Sequence, residues 1–225
     1  MNIKNNLKPI LLNILLLGIG THVPAFAEIS DAKDGDLCAP FKDAMIDQSM
    51  ISLMLQAATD GNLYRIKPKS SKFGLCINST VGIVKAEFHE YKGGLALNEF
   101  MQNGASLIKI DVGSLETDSS LIEAMLKSES FLDNEQFPEI IFVSTGIEWI
   151  RNKSGILKGN LTMRGITKPV AFYVDLIRSE ADAEFITIKA TTTIQRSEFG
   201  MYTLTSMVDD RVSLCMTIDA YRYRS

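Results

Sequence analysis

The chain has 225 residues and a nearly balanced charge, with 23 lysines and arginines against 27 aspartates and glutamates. A formal net charge of -4 provides no electrostatic footprint for nucleic acid, and no cluster of basic residues would hold an anionic membrane surface. We therefore expect neutral or apolar partners and no nucleic acid among them.

The first 27 residues have the pattern of an export signal. Two lysines precede an apolar run from Ile10 to Ile19, and Ala25-Phe26-Ala27 is typical of a cleavage site. The apolar run is about half of the ~20 residues that a transmembrane helix needs. The sequence therefore predicts a signal peptide over residues 1–27, a periplasmic mature chain, and no integral membrane segment after cleavage.

Residues 28–62 are predicted to form a helical extension ahead of the main domain. Asp47 suits an N-cap, apolar residues recur at helical spacing from Met50 to Ala58, and Gly61 suits a terminator. The apolar stripe needs a surface to pack against. Two interpretations stay open, a packing element against the main domain and a mobile lid.

From Leu63 to the C-terminus the chain is predicted to be one β domain, because apolar and polar residues alternate with a period of two. One helix interrupts the strands, with Asp118 as its predicted N-cap and an ion pair between Glu123 and Lys127. The predicted strands are Leu63–Pro68, Lys72–Asn78, Gly82–Tyr91, Gly94–Asn98, Ser106–Val112, Glu139–Trp149, Gly155–Arg164, Val170–Ile177, Ala183–Ile194 and Arg211–Tyr221.

Four separated motifs carry a family resemblance. They are Asp111–Thr117, Phe131–Phe142, the hairpin Leu161–Val170 with its turn at Gly165, and Arg196–Gly200. In this order they resemble the YceI-like family of periplasmic, lipocalin-like lipid-binding proteins. The resemblance implies an all-β, closed antiparallel barrel of about eight strands with one inserted helix. It also implies an interior that holds a polyisoprenoid or quinone-like lipid, without any cofactor.

Alternation assigns one face of each strand to the barrel interior, and these faces carry the predicted ligand site. Gly159, Ala190 and Ala220 share the inward faces and are small enough to leave room for a ligand. The predicted ligand-binding residues are Ile108, Ile110, Phe142, Leu161, Met163, Phe172, Val174, Ile188, Leu214 and Met216.

The three cysteines are expected to meet an oxidising compartment, where one disulfide can persist. Cys76 and Cys215 both lie opposite the apolar face of their strands. They could pair across neighbouring strands if the first and last strands of the barrel meet. The alternative pairing ties Cys38 to one of them.

Histidine is nearly absent, since the chain has two and His22 lies in the predicted signal peptide. The other, His89, is interpreted as a solvated loop residue. Histidine-based triads would rest on it alone, and a multi-histidine metal site is excluded. We therefore predict no catalytic residues and no metal site.

Two functions remain open. The leading hypothesis is a periplasmic carrier or scavenger that holds an isoprenoid lipid without chemistry. The alternative is an enzyme or redox accessory protein that uses Arg196, Glu198 and Asp209 or Asp210, although Arg196 is better explained as a buried arginine satisfied by a carboxylate or carbonyls at a barrel end. The ligand's length and headgroup and the oligomeric state stay open, with a homodimer as one option.

Overall fold

The computed structural model describes residues 56–57, 59–97, 104–151, 153–178 and 184–223. The predicted signal peptide, Cys38 and most of the predicted N-terminal helix lie outside these residues. Residues 56–57 and 59 are helical, and Gly61 has a φ of +72°, as expected of a glycine that ends a helix. Ala57 packs against Ala96 and Ala105.

The described residues form eleven strands in one antiparallel sheet. Their bounds are β1 (Leu63–Ile66), β2 (Lys72–Ser79), β3 (Gly82–Phe88), β4 (Tyr91–Leu97), β5 (Gly104–Asp111), β6 (Leu115–Thr117), β7 (Glu139–Arg151), β8 (Ser154–Met163), β9 (Ile166–Arg178), β10 (Phe185–Gln195) and β11 (Val208–Arg222).

The sheet closes because its last strand returns to its first. β11 pairs with β10 on one side, and on its other side with β2 and then β1. β1 and β2 follow one another along the barrel wall and count as one of its strands. β3 and β4 count as the neighbouring strand in the same way, since β3 pairs with β2 and β4 pairs with β1. Over the described residues 63–223 the result is a closed eight-stranded antiparallel barrel with one helix inserted between its strands, which confirms the predicted fold class.

Local chemistry explains the tight turn between β8 and β9. Arg164 and Gly165 have φ angles of +51° and +69°, the left-handed pair that a two-residue type I′ hairpin turn requires. Met163 and Ile166 close the hairpin as a register pair. The predicted turn at Gly165 is therefore confirmed.

The inserted helix, α1, spans Ser120–Lys127. Its N-cap is Ser119 rather than the predicted Asp118, because the Ser119 hydroxyl accepts a hydrogen bond from the amide of Ile122, 3.5 Å away. The predicted ion pair is present, with Lys127 Nζ 2.8 Å from Glu123 Oε1. The short strand β6 has only three residues, too few for an alternation pattern to predict it.

One end of the barrel is covered by α1, residues 128–138 and the 3-10 turn Arg196–Phe199, and we call it the capped end. Arg164 donates hydrogen bonds to the backbone carbonyls of Glu129 and Phe131. The guanidinium of Arg196 lies over the Phe131 ring, 5.7 Å from its centre. Three of the four motifs that carry the family resemblance thus meet at one place in the fold.

Tyr91 stabilises the break between β1 and β2. Its hydroxyl lies within hydrogen-bonding distance of the carbonyls of Pro68 and Ser71, which flank the 3-10 turn between the two strands. Burial raises the pKa of Tyr91 to about 12, and the charges of Glu87 and Asp219 add to the effect.

The predicted Cys76–Cys215 disulfide is wrong. The two cysteines lie on the paired strands β2 and β11, but Cys76 is opposite Ser213 and Cys215 is opposite Gly74. Diagonal neighbours of this kind are about 7–8 Å apart, beyond the usual Cα spacing of a disulfide. Cys215 is a buried thiol, whereas Cys76 is disulfide-bonded. This arrangement favours the alternative with Cys38, which itself lies outside the described residues.

Candidate functional site

An apolar cavity runs through the interior of the barrel. Its volume is about 130 Å³. Along β7 its lining extends from Ile140 to Trp149, which corresponds to ~30 Å of strand and ~23 Å along the axis of a barrel with strands tilted by about 40°. The cavity is therefore long and narrow.

All ten side chains that alternation assigned to the ligand site line this cavity, and they come from six strands. They are Ile108, Ile110, Phe142, Leu161, Met163, Phe172, Val174, Ile188, Leu214 and Met216. Ile110, Ile188, Leu214 and Met216 are half-buried, and the other six are buried. That these residues contact a lipid stays a prediction.

An aromatic pair forms part of the cavity lining. The rings of Phe142 and Phe172 meet edge to face, with 5.2 Å between their centres. A Cβ atom added at Gly159 would lie 2.5 Å from the Phe142 ring, so this ring already occupies the space that Gly159 was expected to leave free. Of the three small residues, Ala190 borders the cavity.

At the capped end the cavity is bordered by residues that the strand pattern did not predict. Leu126 comes from α1, and Phe131 and Leu132 come from the segment that follows it. Met201 and Arg196 approach from the segment after β10. The sequence does show the apolar pair Phe131-Leu132 within a motif of the family. Because this segment lacks strand periodicity, the pattern could not predict that these two side chains border the cavity.

Arg196 is held by backbone carbonyls and is 1% exposed. Its Nε donates to the carbonyl of Asp209 at 3.0 Å, and its two terminal nitrogens donate to the carbonyls of Met201 at 2.7 Å and Val208 at 3.2 Å. These bonds satisfy the buried cation and lock the loop before β11 onto the capped end. The interpretation of Arg196 as a structural arginine is confirmed.

The acidic residues of the alternative hypothesis make contacts at the surface of the capped end. Asp210 accepts hydrogen bonds from the amide and the hydroxyl of Ser197, at 2.8 and 2.7 Å. A hydrogen bond from the amide of Arg211 lowers the pKa of Asp209, and Glu198 is exposed. These contacts give Asp209 and Asp210 structural roles at the surface of the capped end.

Two serines lie inside the barrel on the side away from the capped end. Ser106 and Ser144 are 2% and 0% exposed, and the Ser106 amide donates to the Ser144 hydroxyl at 2.6 Å. Ser106 also borders the cavity. Sequence reasoning missed it, although it shares the inward face of β5 with Ile108 and Ile110.

His89 lies at the surface between β3 and β4, with its Nε2 3.3 Å from Glu116 Oε2 and both side chains at least half exposed. Within the described ranges, no group of three or more histidine, cysteine, aspartate or glutamate side chains could hold a metal ion. No helix in the same part of the chain is long and apolar enough to cross a membrane.

Comparison with known proteins decides the family. The sequence-family model of the YceI-like domain matches residues 64–220, which is most of the chain. The chain belongs to the YceI-like family. A UPF0312 protein of Shewanella sp. (strain MR-4) is 24% identical over 186 residues, covering 80% of this chain and 96% of the relative. A UPF0312 protein of Pseudomonas putida (strain GB-1) is 34% identical over 102 residues, 43% of this chain and 53% of that protein.

Solved structures share the fold of this YceI-like chain. Burkholderia cenocepacia BcnA matches with a TM-score of 0.63 and 19% identity, over 68% of this chain and 98% of BcnA. A polyisoprenoid binding domain from Saccharophagus degradans matches with a TM-score of 0.56 and 10% identity, over 71% of this chain and 98% of that domain. At these identities the likeness shows the barrel architecture.

Proposed function

We propose that this YceI-like protein binds a polyisoprenoid or quinone-like lipid in the barrel cavity and carries it without chemical change. The observation that carries the proposal is the long, narrow cavity with an almost wholly apolar lining. Its shape suits an extended chain better than a compact solute. The family and the fold are those of binding proteins, and the Saccharophagus degradans domain that shares the fold is described as polyisoprenoid-binding.

The hydrophobic effect supplies enough driving force for such a ligand. Each CH₂-like carbon that leaves water is worth up to about 0.8 kcal/mol. The full sum is not realised, because ordering a flexible chain opposes binding and measured affinities have a ceiling. Selectivity in the apolar part of the cavity should therefore follow chain length and branching.

The cellular setting is part of the proposal. The basic start, the apolar run and Ala25-Phe26-Ala27 favour export through a signal peptide, and the mature protein would then act in the periplasm. A barrel that encloses the chain would shield it from water between membranes. The cavity lies within one barrel, so a single chain supplies the whole proposed binding site.

Filling the cavity tests the proposal. Ala190 borders the cavity between Val174 on β9 and Met216 on β11, so Ala190→Phe would place a ring inside it. Lys189→Phe adds the same ring at the adjacent, exposed position and is the matched control. The assay is transfer of a long-chain polyprenol from vesicles to purified protein, measured as lipid per protein.

We expect one polyprenol per barrel for the wild type and for Lys189→Phe, and little or none for Ala190→Phe. Circular dichroism and thermal melting establish that all three proteins are folded. A wild-type protein that takes up no polyprenol would refute the carrier function, and uptake by Ala190→Phe equal to that of the control would refute the cavity as its site.

A further inference from the structure

Ser106 carries a buried hydroxyl that the fold does not use. Ser106 borders the cavity and is 2% exposed, and its buried Oγ has no hydrogen-bond partner among the described residues. Its backbone amide, in contrast, is satisfied by the hydroxyl of Ser144. Most buried polar side-chain atoms in proteins have a partner, and one that lacks it lowers the stability of the fold.

The position of Ser106 on β5 shows which end of the barrel its hydroxyl is nearer to. Ser106 shares the inward face of β5 with Ile108 and Ile110, and its register partner on β4 is Leu95. β5 runs from Ser106 towards the capped end, where Arg196 is already bonded to three carbonyls. Ser106 therefore lies in the half of the barrel away from the cap, with its hydroxyl on the inward face of β5.

We propose that Ser106 is a hydrogen-bonding anchor for one uncharged oxygen of the lipid, an alcohol or a carbonyl. This inference rests on the proposed function and adds an orientation to it. A serine hydroxyl can both donate and accept, so it suits either group. A single hydroxyl cannot replace the hydration of a charged headgroup, which would need several donors or a cation. The bound lipid then has its oxygen at Ser106 and its chain towards the capped end.

The test compares two probes on two proteins. The probes are geranylgeraniol and the hydrocarbon of the same skeleton that lacks the hydroxyl, and the proteins are the wild type and Ser106→Ala. The measured quantity is the ratio of the two dissociation constants in each protein, because the ratio cancels general effects of the substitution. Ser120→Ala, at an exposed position of α1, is the control.

We expect Ser106→Ala to weaken binding of the alcohol relative to the hydrocarbon by about two- to tenfold, as the loss of one hydrogen bond predicts. Ser120→Ala should leave the ratio unchanged. Without ligand, Ser106→Ala should melt no lower than the wild type, because it removes an unpaired buried hydroxyl.

An unchanged ratio in Ser106→Ala would overturn the anchor and leave the carrier function standing. That result is the one expected if water satisfies the hydroxyl while the lipid is bound. Failure of the wild type to bind either probe would overturn the proposed function and the anchor with it.

Discussion

A carboxylate in the wall of the cavity should expel an apolar ligand. Met216 lines the cavity and is half-buried, with Ala190 and Phe73 as its register partners. In Met216→Asp without ligand, the new carboxylate can keep water in the cavity. A lipid that enters the cavity removes that water and leaves the charge unpaired among apolar side chains.

The magnitude follows from the cost of burying a charge. An unpaired ion in a protein interior costs several kcal/mol even after relaxation. Taking about 3 kcal/mol as the penalty, lipid binding should weaken by about a hundredfold. Bound lipid favours the protonated carboxyl, so affinity should recover as the pH falls towards ~4 and the aspartate becomes neutral.

Thr217→Asp is the matched control. Thr217 is the next residue of β11, on the outer face, and its register partners are Lys189 and Lys72, so an aspartate there gains two cationic neighbours. Both variants are assayed for lipid per protein by mass spectrometry and for affinity with a fluorescent polyprenyl probe at pH 7 and at acidic pH. Equal binding by the two folded variants at pH 7 would refute the assignment of the inward face.

Four further outcomes are expected. Peptide mapping without reduction should give one linked pair, Cys38 with Cys76, and a Cys76–Cys215 peptide would contradict the register. His89→Ala should change the free energy of unfolding by less than ~0.5 kcal/mol in denaturant titrations, because the contact it loses is solvated. Arg196→Met leaves three carbonyls unpaired, so calorimetry should show a loss of about 3 kcal/mol and a melting temperature about 6–12 °C lower; an unchanged melting temperature would contradict the locking role. Burial raises the pKa of Tyr91 from 10.0 to about 12, so this tyrosine ionises at lower pH in the unfolded protein than in the folded one. The free energy of unfolding should therefore fall between pH 10.0 and 12, and Tyr91→Phe should lack this part of the pH dependence.

Alternation was sufficient to predict which side chains face the barrel interior. Successive residues of a strand point to opposite faces, so Phe142 and Leu161 could be assigned inward without knowledge of which strands pair. The same pattern places Ser106 on the inward face, two residues before Ile108. It was not predicted as a site residue because only apolar residues were assigned to the ligand site. Closure of the barrel came from the family resemblance rather than from the strand pattern.

Register and irregular segments could not be predicted in this way. A shift of two residues between strands leaves every side chain on its face, so the pattern placed Cys76 and Cys215 on one surface but not opposite each other. Phe131 and Leu132 border the cavity from a segment without periodicity, and their place depends on contacts with Arg164 and Arg196 that are distant in sequence.

The most direct test of the lipid-carrier function is mass spectrometry of the lipid extracted from protein expressed with its signal segment in a bacterial host. We expect about one polyisoprenoid or quinone-like lipid per barrel, absent from Ala190→Phe purified in parallel. Protein that emerges without lipid and takes up none from polyprenol-containing vesicles would contradict the function proposed for this cavity.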